Sequence, residues 1–169
     1  MQPSTLREVQ EPIKQRYRDD PDAALVTLAA DGTLGMGQSC SVQTGQALVR
    51  AGLHPATGGD GLLVCSGDML LQALVACAGV TLGAVASALG LVVSGTVRAE
   101  GDLDFRGTLA VEKTAPVGFR EIRLTFALES EADDDKLATL MRLTERYCVV
   151  FQTLAVRPAL SVTHARSNA

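Results

Sequence analysis

Within residues 119–129, Ile122, Leu124, Phe126 and Leu128 alternate with Glu121, Arg123, Thr125 and Glu129. That period predicts a strand with one face on a core and one in water. From Met69 to Val97 there is no charged side chain at all, and the stretch changes character at Gly90, from Ala/Leu-rich to the β-branched Leu91–Val97. A helix followed by a strand is predicted, the helix N-capped by Ser66, carrying Asp68 in its first turn and stopped by Gly90. A second long helix is predicted after the acidic run Asp133–Asp135, with an apolar stripe of Leu137, Leu140, Met141, Thr144, Cys148, Phe151 and Ala155, ended by Pro158.

The remaining pattern is more punctuated. Thr5–Glu8 has the capping-box form and opens a short helix that Pro12 interrupts, so residues 1–22 read as an N-terminal helical extension. Ala24–Leu28 reads as a strand, and Asp31-Gly32 as a turn into a strand over residues 33–44. The glycine-rich residues 45–65 read as a loop with room for one helical turn at residues 46–51. Strands follow at about residues 91–100 and 103–112, a turn at 115–118, and a last strand at Ala159–Ala165. Strands, helix, strands, helix and strand in that order predict one α+β domain over residues 1–169 with a mostly antiparallel sheet.

Composition narrows the function classes. With 47 % hydrophobic residues a core is affordable, but 4 % aromatics and no Trp mean it is built from Leu, Val and Ala. Fifteen basic against 19 acidic residues, for a net charge of -4, leave no Lys/Arg cluster to follow a phosphate backbone, so nucleic acid is not expected as a partner. The N-terminal residues lack the apolar core of a secretory signal. The long uncharged stretch is broken by four glycines and lacks basic flanks, which favours a buried helix over a membrane span. The four cysteines, 40, 65, 77 and 148, form no C-x-x-C pair, so neither a zinc site nor a disulfide scaffold is expected, and a cytoplasmic protein is.

Cys77 and Cys148 carry the candidate chemistry. Each falls on the apolar face of a predicted helix. Two helices crossing at these positions would bring facing Cα atoms to roughly 4–6 Å, within reach of a disulfide. Taken singly, a buried cysteine is ordinarily a small hydrophobe, and Cys40 and Cys65 keep that reading. Burial alone raises a thiol pKa, so a reactive Cys77 is expected to need a cation close by.

The segments Ser66–Cys77 and Glu145–Val150, and the interval between their cysteines, resemble the OsmC/Ohr family of osmotically inducible and organic hydroperoxide resistance proteins. The resemblance implies antiparallel sheets wrapped around two long central helices, in an intertwined homodimer with its site at the subunit interface. It implies a thiol peroxidase for organic hydroperoxides, with Cys77 as the attacking thiolate and Cys148 as the resolving thiol, an external dithiol as reductant, and neither metal nor flavin as cofactor.

Two departures from the family pattern bear on this. Ten residues before the first cysteine, where the hydroperoxide-reducing members carry a Glu that holds an Arg against the thiolate, this chain has Gly67. Asp68 follows, and either substitutes for that Glu in a shifted register or serves only the start of the helix. Arg16, Arg18 and Arg50 lie upstream, and nothing in the sequence selects one of them as the thiolate's partner; Arg146 reads as a solvated group, His54 as either a site residue on its loop or an ordinary surface histidine, and His164, among the wet positions of the last strand, is assigned no role. The competing reading is a non-catalytic member whose helix pair lines a pocket for an apolar small molecule.

Overall fold

The computed structural model describes residue 19 and residues 32–34, 39–44, 47–110 and 113–165. The first sheet has the order β1 (Gly32–Leu34), β2 (Ser39–Thr44), β3 (Ala47–Gly52) and β4 (Val64–Cys65). Its strands pair antiparallel except for the short parallel β3–β4 contact. Helix α1 (Ser66–Leu89) runs on directly from β4. It is followed by β5 (Ser94–Leu103), the short α2 (Phe105–Thr108), β6 (Phe119–Glu129), α3 (Asp134–Tyr147) and α4 (Val149–Ala155). Strands β5 and β6 form a second, antiparallel sheet, with Val97 opposite Phe126 and Ala99 opposite Leu124.

Helix α1 is held at both ends by its sequence. Cys65, not Ser66, takes the N-cap position, one residue earlier than predicted, and Asp68 sits in the first turn. At the other end Gly90 adopts φ 67°, and the Leu91 N–H reaches back to the Ala86 carbonyl at 2.9 Å. This left-handed stop satisfies carbonyls the helix would otherwise leave open, and it suits a residue without Cβ.

Along α1 the buried residues are Leu74, Ala78, Leu82 and Ala86, a single row at a spacing of four. Cys148, Leu140 and Thr144 form the facing row. Around Cys148, Leu74 and Ala78 the packing is completed by Val97 and Ala99 of β5 and Ile122, Leu124 and Phe126 of β6. The alternation read at residues 119–129 is therefore real, and its apolar side closes the core. Helix α1 has the length and composition of a membrane-crossing segment, and in the structure it packs against β5, α3 and α4.

Several expectations are corrected. Residues 47–65 hold β3, a 3-10 turn at Pro55–Thr57 and β4, so of the helical turn expected at 46–51 the described residues 47–51 are extended. The strand expected at 33–44 is two strands paired with each other, Leu34 opposite Cys40. The strand expected at 103–112 is replaced from Phe105 by a helical turn capped by Asp104, whose carboxylate accepts from the Arg106 N–H at 3.2 Å. β5 runs on to Leu103 instead and takes the whole of β6 as its partner. Residues 159–165 are exposed and form no strand among the described residues. The expected N-terminal helix and the strand at Ala24–Leu28 lie outside the described residues.

The largest correction concerns the second long helix. Asp133 caps it as expected, accepting from the Lys136 N–H at 2.9 Å, with Asp134 and Asp135 in the first turn. It does not continue to Pro158, however. At Cys148 the backbone turns extended (φ -72°, ψ 107°), and a new helix begins at Val149.

Candidate functional site

The break at Cys148 builds the site. Cys148 donates its N–H to the Thr144 carbonyl at 3.0 Å, the last bond of α3, and its own carbonyl accepts from Gln152 at 2.9 Å, the first bond of α4. In a continuous helix the amides of residues 149–151 would bond the carbonyls of residues 145–147. At the start of a new helix they have no intrahelical partner. The Glu145 carbonyl released in this way is taken up by the Gln152 side chain, Nε2 to O 2.9 Å. The freed amides point at the two sulfurs.

Cys77, next to Ala78 and one turn from Leu74 on α1, presents its sulfur to that break. Burial by itself pushes the Cys77 thiol up. Hydrogen bonds from the Val150 N–H, the Cys148 thiol, the Thr81 hydroxyl one turn along α1 and the Val149 N–H outweigh it, and together they hold the thiol below its ordinary pKa. Cys148 is pushed the other way, by burial first and by the neighbouring Cys77 sulfur next, against amide bonds from Phe151 and Val150. The pair is therefore polarised: the half-exposed Cys77 is the sulfur that ionises, and the buried Cys148 keeps its proton and donates it.

The expected juxtaposition of Cys77 and Cys148 is present, but the expected means of activation is different. The groups that hold the thiolate most strongly are two amides, a thiol and a hydroxyl, none of them a cation. Arg146 lies with its guanidinium carbon 5.7 Å from the centre of the Tyr147 ring, and both side chains are exposed. Arg50 is exposed on β3, and Arg16 and Arg18 lie outside the described residues.

Asp68 is not brought to the thiol within the chain. Nine residues along a helix correspond to a half-turn of rotation and roughly 13 Å of rise. Its carboxylate lies instead on an open groove of about 450 Å³ shared with Leu71, Gln72, Val75, Ala76 and Ala99. At Gly67 a Cβ would stand 3.4 Å from the Phe119 ring and 3.6 Å from the Cys65 sulfur, an ordinary contact, so this position faces β6 rather than Cys77.

The other candidates have local roles. His54 caps the 3-10 turn, its Nδ1 accepting from the Ala56 N–H at 3.1 Å, and its ring stacks on Phe105 at 5.0 Å. Cys65 is a half-buried residue at the helix start, and His164 is exposed. Cys40 lies on β2, and its side chain is outside the described residues. Among the described residues no group of His, Cys, Asp and Glu side chains is arranged to hold a metal ion.

Sequence reasoning missed Thr81 and the amides of Val149 and Val150. A hydroxyl four residues after a cysteine on one helix was a readable signal. The second signal was weaker: two successive β-branched residues, which disfavour helix continuation, directly after a cysteine on an apolar stripe.

Comparison with known proteins agrees with this architecture. Among solved structures, the OsmC-like protein of Mycoplasma pneumoniae superposes with a TM-score of 0.63 at 18 % identity, covering 77 % of this chain and 88 % of its own. An OsmC-like protein of unknown function from Vibrio cholerae superposes with a TM-score of 0.59 at 14 % identity, covering 79 % of this chain and 95 % of its own. A protein from Psychrobacter arcticus, described as a candidate osmotic stress induced and detoxification response protein, does so with a TM-score of 0.56 at 15 % identity, covering 79 % and 91 %. No curated protein matches the sequence. Residues 59–163, from the loop before β4 through both cysteines to the exposed C-terminal segment, match the OsmC-like protein family, and the chain belongs to it.

Proposed function

We propose that the protein is a thiol peroxidase that reduces organic hydroperoxides through Cys77 and Cys148. The observation that carries this reading is the polarised sulfur pair: a thiolate-stabilised, half-exposed Cys77 in hydrogen-bond contact with a buried, protonated Cys148. In the proposed cycle the Cys77 thiolate attacks the terminal oxygen of the hydroperoxide, and the O–O bond breaks. The alkoxide leaves and takes up a proton as the alcohol, while Cys77 becomes a sulfenic acid. The Cys148 sulfur then attacks the Cys77 sulfur, water leaves with the Cys148 proton, and a disulfide forms. An external dithiol returns both sulfurs to thiols, which places the cycle in a reducing compartment such as the cytoplasm.

The surroundings of the pair favour an organic substrate over hydrogen peroxide. The cysteines sit among Leu74, Ala78, Val150 and Phe151. An alkyl tail burying ~100 Å² there would gain about 2.5 kcal/mol at ~25 cal/mol per Å². If that gain is expressed in the transition state, a bulky alkyl hydroperoxide should exceed hydrogen peroxide in kcat/KM by well over tenfold. The test is steady-state turnover with a dithiol donor, with Cys77→Ser as the inactive control. A ratio at or below one would remove the apolar-pocket argument, and no turnover with either peroxide would remove the enzyme.

That last outcome favours a second reading, a non-catalytic member binding an apolar small molecule. It draws support from Gly67 standing where the peroxidases of the family carry Glu. The working assembly proposed for either reading is a homodimer. Its support is the outward face of α1, where Leu70 and the 76 % exposed Val80 are uncovered within the chain.

A further inference from the structure

In the reduced protein the Cys77 and Cys148 sulfurs are two soft donors held in hydrogen-bond contact, Cys77 half-exposed on α1 and Cys148 buried at the break between α3 and α4. No third sulfur of the described side chains is near: Cys65, at the N-cap of α1, stands roughly 18 Å away along the helix axis. Among the described residues no further His, Cys, Asp or Glu joins the pair in a metal-holding group. Zinc, which takes four ligands in a closed site, is thereby unsuited. A linear two-coordinate ion holds its sulfurs on opposite sides, two metal–sulfur bonds apart, and sulfurs in contact do not match it. A pyramidal, thiophilic centre with two exchangeable positions does.

We propose that the reduced Cys77–Cys148 pair is a chelating site for a trivalent arsenical that carries one organic substituent. Such an arsenical, RAs(OH)2 in water, has two hydroxyls to exchange, one for each sulfur. The accessible Cys77 thiolate displaces the first as hydroxide, which takes a proton from water. The Cys148 sulfur displaces the second, and its own proton leaves with that hydroxide as water. Two As–S bonds replace two As–O bonds, and neither arsenic nor sulfur changes oxidation state. The half-exposed sulfur gives the arsenic its entry, and the buried sulfur beside it closes the chelate. Cys40 and Cys65 form no comparable pair, because β2 and β4 flank β3 and lie roughly 10 Å apart. The site needs the sulfur contact and not the peroxide chemistry proposed for it.

The test is native mass spectrometry of the reduced full chain with phenylarsine oxide, in the presence of about millimolar 2-mercaptoethanol. A second sulfur fixed beside the first acts at an effective concentration well above millimolar, so the wild-type adduct should outlast the competing monothiol. One arsenical per chain should be retained, and 2,3-dimercaptopropanol, itself a chelating dithiol, should remove it. Cys77→Ser and Cys148→Ala should each retain it at least about tenfold less, since each leaves a single sulfur at the site. Wild-type protein whose Cys77–Cys148 disulfide has been confirmed by peptide mapping should take up none, a control that needs no substitution. An adduct stripped from wild type by the monothiol, or retained equally by either variant or by the mapped disulfide form, overturns the proposal. Retention without peroxide turnover would remove the enzyme and keep the chelating site, and turnover without retention would remove the chelating site alone.

Discussion

Alkylation of Cys77 should titrate with a midpoint below the roughly 8.5 of an unperturbed thiol, because hydrogen bonds to its anion outweigh the effect of burial. The sign follows from the thiolate being the reactive form: a lowered pKa brings the fast plateau to lower pH. Removing one of the donors in Thr81→Val should move the midpoint up, and Cys148→Ala should do the same by removing the thiol donor. A midpoint unmoved by Thr81→Val in a pH series with iodoacetamide would show that the hydroxyl does not hold the sulfur. Under mild oxidation Cys77 should link to Cys148, with Cys65 left free; peptide mapping that finds another bridge would sink the pairing. The sequence placed both sulfurs correctly on facing apolar stripes. It could not reveal their different protonation, which depends on backbone amides, and amides carry no residue identity to read.

At the scale of elements, two of the helix ends were legible, the N-cap of α1 was read one residue late, and the break was not legible. Gly90 and Asp133 were read as stop and start because each has a local chemistry, a left-handed φ and a side-chain acceptor. Gly90→Ala should destabilise the fold by about 1–2 kcal/mol, the cost of a left-handed Cβ, and Asp133→Ala by about 1 kcal/mol, both measurable by urea denaturation. The break at Cys148 has neither proline nor glycine to announce it, and its stripe from Leu137 to Phe151 keeps a helical period across it. What holds it is tertiary: the Gln152 side chain on the Glu145 carbonyl, and the sulfurs on the freed amides. Gln152→Ala should therefore cost no more than about 1 kcal/mol in stability, while raising the alkylation midpoint of Cys77 as the break loosens. The lost strand at 103–112 has a similar cause, since β6 pairs with β5 through Leu103 and Asp104 then caps a turn instead.

For the whole molecule, the α+β class, helix α1, strands β5 and β6 and the start of α3 were legible in the sequence, while the strand read at 103–112 between β5 and β6 gave way to α2. The four-stranded sheet was not legible, because its β3 and β4 are short and set among glycines that read as loop. Helix α1 remains uneven in its surroundings: one row is buried by β5, α3 and α4, while Val80 and Leu70 face outward. Residues 159–165 also stay exposed, with Leu160 at 81 % and Val162 at 96 %. A second copy covering α1 would account for both. Sedimentation should then show a dimer at micromolar concentration, and Val80→Arg, which sets a charge on that face, should shift it toward monomer. A wild-type protein that sediments as a stable monomer would rule the dimer out.

The break at Cys148 also makes the backbone a witness to the side chain it serves. Two amides hold the Cys77 anion, so whatever discharges that sulfur, a proton at low pH or an alkyl group, removes their acceptor. Hydrogen exchange at residues 149 and 150 should then quicken while the interior of α3 stays protected. The chemical state of one sulfur on α1 could thus be followed from two peptide N–H groups on another helix, without touching either cysteine.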